Sequence, residues 1–157
     1  MRNAMLLMAA LGACMVDAVP TSAGEEAPEQ AVVISAMQLA ADVLATESGL
    51  GYQIPSSAVA RLLMIRRDKP GEVEVHTEQN DVIVVESGQA IITMGGAVTG
   101  NREIRPTEWR GGMTTGGKSY RVARGDLILI PAGIPHQVLV SKGQTVTYLA
   151  IKTARQK

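Results

Sequence analysis

The chain after Tyr52 consists of short runs rich in β-branched and aliphatic residues. These runs cover residues 58–67, 71–76, 81–86, 89–94, 119–124, 126–131, 136–141 and 145–152. Turn-forming residues separate many of them, at 68–71, 87–88 and 142–143. Short strands at regular spacing, without helices between them, are typical of an antiparallel sandwich or barrel. The pattern therefore predicts an all-β domain.

A helical pattern precedes these runs. Residues 36–47 carry apolar side chains at helical spacing, and Ser35 is a suitable N-cap in front of them. The pattern stops before Gly49 and Gly51. We therefore expect one short helix ahead of the β domain.

The first residues have the pattern of an export signal. Arg2 precedes an apolar run over residues 4–16, and small residues follow it. This run is too short for a permanent membrane span, which needs about 20 residues. We expect residues 1–23 to be a signal peptide, 24–34 a tether and 35–157 the folded domain, located in the periplasm or secreted. Two alternatives remain: lipidation of Cys14 within a lipobox-like sequence, and an ordinary N-terminal helix.

Composition excludes several functions. Lysine plus arginine and aspartate plus glutamate each total 15, so the formal charge is zero and no basic field attracts nucleic acid. Phenylalanine is absent, which makes a stacking platform for bases or sugars improbable. Cys14 is the only cysteine, so cleavage after Ala23 would leave neither a disulfide nor a thiol catalyst.

Arginines are concentrated in two places. Residues 95–119 form a glycine-rich interruption of the strand pattern. We interpret it either as a long hairpin connection or as a flap over the barrel mouth. Such a flap would carry Trp109, Arg102, Arg105 and Arg110 toward an anionic ligand. In the run 58–67, Arg61 and Arg67 share one face and Arg66 lies on the other. At most some of them can therefore point inward, and solvent exposure is the usual position of an arginine.

The most specific local signal is GDLILIPAGIPH, over residues 125–136. Gly125 permits a turn, the next four apolar residues form a strand, and a stiff reversal then leads to His136. The segment resembles the second cupin motif at its fixed positions Gly125, Pro131, Gly133 and His136. The asparagine that the family places four residues later is Val140 here.

The first cupin motif is recognisable in altered form over residues 71–88. His76 and Gly88 match the pattern, Asp81 resembles the motif's glutamate, and Glu78 replaces the second histidine. Together the two motifs resemble small exported bacterial cupin-domain proteins. The resemblance implies a small antiparallel jelly-roll barrel that holds both histidines inside, and it favours a homodimer.

Residues two apart on a strand face the same way, so His76 and Glu78 would be able to hold one ion. His136 would join them once the barrel closes, with Asp81 near the rim. Two imidazoles and a carboxylate resemble the facial triad of Fe(II) enzymes, and such a site also suits Mn, Zn or Ni. Because only two histidines are present, we leave open whether a divalent metal is bound.

These observations favour two functions. The first is a metal-dependent enzyme, of dioxygenase, isomerase or lyase type, that acts on a small polar molecule. The alternative is a non-catalytic module that binds a small molecule without metal, and a purely structural barrel is a third hypothesis. The fold alone does not choose among them.

Overall fold

A computed structural model describes residues 31–55 and 60–156. The predicted signal peptide, the greater part of the tether and Cys14 lie outside the described residues. The elements are α1 (Ala36–Ala45), β1 (Gly51–Ile54), β2 (Ala60–Arg67), β3 (Glu74–His76), β4 (Gln79–Met94), β5 (Ala97–Thr99), β6 (Arg102–Arg105), β7 (Glu108–Arg110), β8 (Met113–Thr115), β9 (Lys118–Ala123), β10 (Leu127–Ile130), β11 (His136–Leu139) and β12 (Val146–Ala154).

The predicted helix is present as α1. The Ser35 hydroxyl accepts a hydrogen bond from the Gln38 backbone N–H, which satisfies one of the free donors of the first turn. The helix ends at Ala45, with Thr46 as its C-cap, and packs against β1 and β2. No helix in the described part of the chain is long and apolar enough to span a membrane.

The strands form antiparallel sheets that curl around one core, as predicted. One sheet has the order β1-β2-β12-β4-β10, and the other has the order β9-β4-β11-β3-β7-β6. β4 is long enough to belong to both, so it connects the two halves of the curled sheet. Most side chains of the hydrophobic core are aliphatic, and Ile92, Ile130 and Val146 are the largest fully buried ones.

The prediction of a turn at Ser87 and Gly88 is wrong, because β4 continues through both residues. Gly88 has a φ of 74°, and a Cβ atom there would lie 1.9 Å from the Thr145 carbonyl oxygen. Glycine therefore lets the strand bend from one sheet into the other while β12 passes against it.

The glycine-rich segment is a folded part of the barrel rim. It contains β5 and β8, which pair as a two-stranded ribbon, and β6 and β7, which extend the second sheet beyond β3. Of its arginines, Arg105 and Arg110 line the cavity of the barrel, whereas Arg102 pairs with Glu72 at the surface. Trp109 is the cross-strand partner of Val75.

Candidate functional site

The two histidines are brought together by the turn that follows β10. His76 ends β3, and His136 begins β11 directly after the turn of residues 131–135. The Gly133 backbone N–H, at a φ of 85°, donates a 2.7 Å hydrogen bond to the His76 carbonyl. Their ring centroids are 5.4 Å apart, and both side chains are buried. The stiff reversal therefore delivers His136 to His76 inside the barrel, as expected.

A backbone contact sets the orientation of the His136 ring. His136 Nδ1 lies 3.1 Å from the Ile134 carbonyl oxygen, which can only accept, so Nδ1 carries the hydrogen. The lone pair of this imidazole is then on Nε2, which faces the interior. A backbone carbonyl that fixes the tautomer in this way is typical of histidines that bind metals.

The strand register places Glu74 beside the two histidines. Glu74 lies two residues before His76 on the same face of β3, and it is the direct cross-strand partner of His136. Its Oε2 is 3.4 Å from His76 Nε2. One donor atom from each of the three residues lies within 4.8 Å of the other two.

The expected position of Glu78 beside the histidines is wrong. β3 ends at His76, so the alternation of side chains does not continue to residue 78. Glu78 lies in the bend before β4 with its side chain exposed, and its carbonyl accepts a hydrogen bond from the Arg155 backbone N–H. Glu74, on the other side of His76, supplies the carboxylate instead.

Asp81 lies inside the barrel rather than near its rim. It is 3% exposed, and its Oδ2 is 3.5 Å from Nε2 of both His76 and His136. Its cross-strand partner on β12 is Lys152, whose Nζ is 2.7 Å from Asp81 Oδ2 and 2.9 Å from His76 Nε2. A buried ammonium group therefore belongs to the site.

An outer group of charged residues surrounds Glu74. Arg67 donates to Glu74 and to the Tyr148 hydroxyl, and Arg110 pairs with both Glu74 and Glu108. Arg105 also pairs with Glu108. Arg67 is 7% exposed, so of the three strand arginines this one departs from the usual exposed position and points inward.

The charges keep both inner carboxylates ionised. Burial alone would raise the pKa of Glu74, but its contact with His76 and the charge of Arg110 outweigh it and lower the pKa to about 2. Burial opposes ionisation of Asp81 as well, yet contacts with His136 and Lys152 hold its pKa below the usual value. Both groups are therefore anionic near neutral pH.

These residues line a cavity of about 550 Å³, which is in the range of small-molecule sites. Three of the charged lining residues are carboxylates (Glu74, Asp81 and Glu108), and five are cations (Arg61, Arg67, Arg105, Arg110 and Lys152). The excess of positive charge favours an anionic ligand.

The other motif residues support the site from outside it. Gly125, at a φ of 91°, turns the chain between β9 and β10, and the Pro131 carbonyl accepts from Ile134 in the reversal. The side-chain oxygen of Asn80 accepts from the Ala132 N–H, which ties this reversal to β4. These contacts fix the segment that precedes His136.

The donor set fits a divalent metal ion. His76 Nε2, His136 Nε2 and a Glu74 carboxylate oxygen converge from adjacent strands, and the facial combination of two imidazoles with one carboxylate suits Fe(II), Mn, Zn or Ni. The 3.5 Å approach of Asp81 Oδ2 to the inward-facing Nε2 of His136 places two acceptor atoms side by side. The Lys152 ammonium group, 2.7 Å from Asp81 Oδ2, is the cation that offsets this repulsion.

Comparison with family models finds no match for the chain. Comparison with curated proteins finds none either.

Solved structures do resemble the barrel. A Bacillus halodurans protein matches with a TM-score of 0.56 at 15% identity, over 85% of this chain and 89% of that one. A cupin-2 domain protein from Shewanella frigidimarina matches with a TM-score of 0.53 at 12% identity, over 77% and 94% of the two chains. A Klebsiella pneumoniae protein with a double-stranded β-helix domain matches with a TM-score of 0.51 at 13% identity, over 68% and 73%.

The fold is the double-stranded β-helix, the cupin-type barrel that the two sequence motifs implied. The predicted cupin-type fold is thus confirmed.

Proposed function

We propose that this cupin binds a divalent metal ion through Glu74, His76 and His136 and uses it to hold a small anionic molecule in the barrel. The observation that carries this proposal is the convergence of the three donor atoms beside a cavity whose charged lining residues are five cations and three carboxylates. When bound, the ion would supply Lewis-acid polarisation of an oxygen atom of the ligand.

The chain's own residues would select and orient that molecule. Arg61 contacts Gln53 through its Nε and pairs with no carboxylate among the described residues, so its charge is available to a ligand at the cavity wall. Arg105 and Arg110 are already neutralised by Glu108 and Glu74. A carboxylate or a similarly small anion would therefore be held between Arg61 and the metal-binding residues.

A metal-free function is the second candidate, because one observation favours it. Lys152 Nζ already hydrogen-bonds His76 Nε2, one of the three donors that the ion requires. Without metal, the pair of imidazoles would remain a possible acid and base, or the cavity would act as a binding module.

Metal titration separates the two candidates. We expect purified, tag-free protein stripped with chelator to bind one equivalent of Fe(II), Mn(II), Zn(II) or Ni(II). His136→Ala and Glu74→Gln should weaken binding at least tenfold, which is about 1.4 kcal/mol, because each removes one of few ligands. Glu78→Gln is the matched control, since it makes the same chemical change on the exposed bend, and it should bind like the wild type.

The proposal fails if wild-type protein binds none of the four ions more tightly than the double variant His76→Ala/His136→Ala. In that case the metal-free module becomes the better explanation of the cavity.

A further inference from the structure

Lys152 is the one buried lysine of the described residues, and it lies at the centre of the site. β12 pairs with β4 in a register that sets Lys152 directly opposite Asp81. Its side chain is 7% exposed and contacts both Asp81 and His76. Neither the fold nor the packing of the core requires a charged side chain there, since its inward-facing neighbours on β12 are Val146, Tyr148 and Ala150.

The hydrogen bond to His76 uses an atom that a metal ion needs. An ammonium group can only donate, so His76 Nε2 accepts and its proton is on Nδ1. No described residue forms a hydrogen bond with that buried Nδ1 atom. One lone pair on Nε2 does not serve a lysine hydrogen and a metal ion at the same time.

The charges also indicate that Lys152 and a divalent ion do not occupy the site together. Asp81 Oδ2 faces both imidazoles, and Lys152 is the only cationic side chain in direct contact with that carboxylate among the described residues, the histidines aside. A divalent ion at the same donors would lie beside the ammonium group, and two cations in a buried space repel each other strongly.

We propose that the Lys152 ammonium group is a built-in cation of this site, which occupies the metal-ligating nitrogen of His76 and must be displaced before a divalent ion binds. This inference rests on the metal centre proposed above. Lys152 thereby determines the metal affinity. Without an ion, it neutralises Asp81 and holds Asp81 Oδ2 and His76 Nε2 in place. An ion that binds weakly would not displace it.

The test compares Lys152→Met with wild type and with Lys142→Met. Methionine resembles the apolar stem of lysine up to Cε and lacks the ammonium group. Lys142 is an exposed lysine in the turn before β12, so the control makes the same change away from the site. Binding of Mn(II) and Zn(II) to chelator-stripped protein is measured by calorimetry, and melting temperatures are recorded with EDTA and with each ion.

We expect Lys152→Met to bind the ions at least tenfold more tightly than wild type, while Lys142→Met is unchanged. In EDTA, Lys152→Met should melt below wild type, because Asp81 loses its cationic partner, and an added ion should raise its melting temperature more than that of wild type. Lys152→Gln, which keeps a neutral N–H donor on the side chain, should show the same rise in affinity and replaces the methionine variant if that variant does not fold.

Equal or weaker ion binding by a folded Lys152 variant overturns the inference and leaves the metal centre standing. Binding by the variant but not by wild type supports the inference and shows that the native protein works without metal. Failure of both proteins to bind any ion overturns the metal centre and the role of Lys152 together.

Discussion

Glu74 retains a negative charge in a mostly buried position because cations and imidazoles surround it. Its folded-state pKa of about 2 lies below the ordinary value of 4.5. A carboxyl whose pKa is lowered on folding stabilises the native state above its unfolded pKa, and this stabilisation is lost as the pH falls through the folded pKa.

We therefore expect acid sensitivity that depends on Glu74. Between pH 4.5 and pH 2, the free energy of unfolding of metal-free wild type should lose roughly 3 kcal/mol through this group alone. Glu74→Gln should flatten the pH dependence in this window, which urea unfolding in EDTA at several pH values would measure. Glu78→Gln, on the exposed bend, should follow the wild-type curve; a slope in Glu74→Gln as steep as in wild type would contradict the assignment.

Only some of the site residues could be predicted from the sequence. The second motif led to His136, and the first led to His76, because both follow fixed spacings. Glu78 was predicted beside His76 from strand alternation, and Glu74 was missed. The same alternation holds for Glu74, and the end of β3 at His76 leaves only Glu74 on the strand. Lys152 gave no distinguishing signal, since Leu149 and Ile151 make the opposite face of β12 as apolar as the inward one.

At the scale of elements, β4 determines how the barrel closes. The strand bends at Gly88, whose positive φ and close approach to the Thr145 carbonyl exclude any other residue without a shift of the backbone. Ser87 and Gly88 resemble a hairpin turn in sequence, and only the pairing of β12 across the bend makes them part of one strand. Long-range pairing of this kind is not visible in local sequence.

The bend gives a prediction with an internal control. Gly88→Ala should reduce the free energy of unfolding by more than about 3 kcal/mol, since it adds a backbone collision to the strain of a left-handed φ. Gly125→Ala carries a similar φ, but a Cβ atom there meets nothing within 4 Å, so it should cost about 1–2 kcal/mol. Urea unfolding of the two variants checks the difference, and equal losses would mean that the contact with Thr145 does not constrain the bend.

At the scale of the whole molecule, the outer face of the first sheet is apolar. Leu127 and Leu129 of β10 are 67% and 60% exposed, while their neighbours Ile128 and Ile130 point into the core. The register aligns two apolar rows across four strands on this outer face: Leu129, Val82, Ile151 and Leu62, and Leu127, Val84, Leu149 and Met64. Met64, at the end of the second row, is buried beside α1. Contiguous apolar patches of this kind commonly mark interaction sites.

A second copy of the chain is the occupant that this face suits. An aliphatic sheet face is complementary to itself under two-fold symmetry, and sheets pack face to face about 10 Å apart. The formal charge of zero means that two copies do not repel each other. The homodimer proposed from sequence would then use the sheet face, with Leu127 and Leu129 at its centre.

Leu129→Glu tests this arrangement. A charge buried between two apolar faces without a partner is strongly unfavourable, so the variant should be monomeric at micromolar concentration while the wild type is a dimer by light scattering. Met113→Glu is the control, because Met113 is 73% exposed on β8, away from this sheet, and it should leave the dimer intact. Since residue 129 faces away from the cavity, ion binding by Leu129→Glu should equal that of wild type, which separates loss of the dimer from misfolding. A monomeric wild type, or a Leu129→Glu variant that remains dimeric, would rule out this face as the contact between copies.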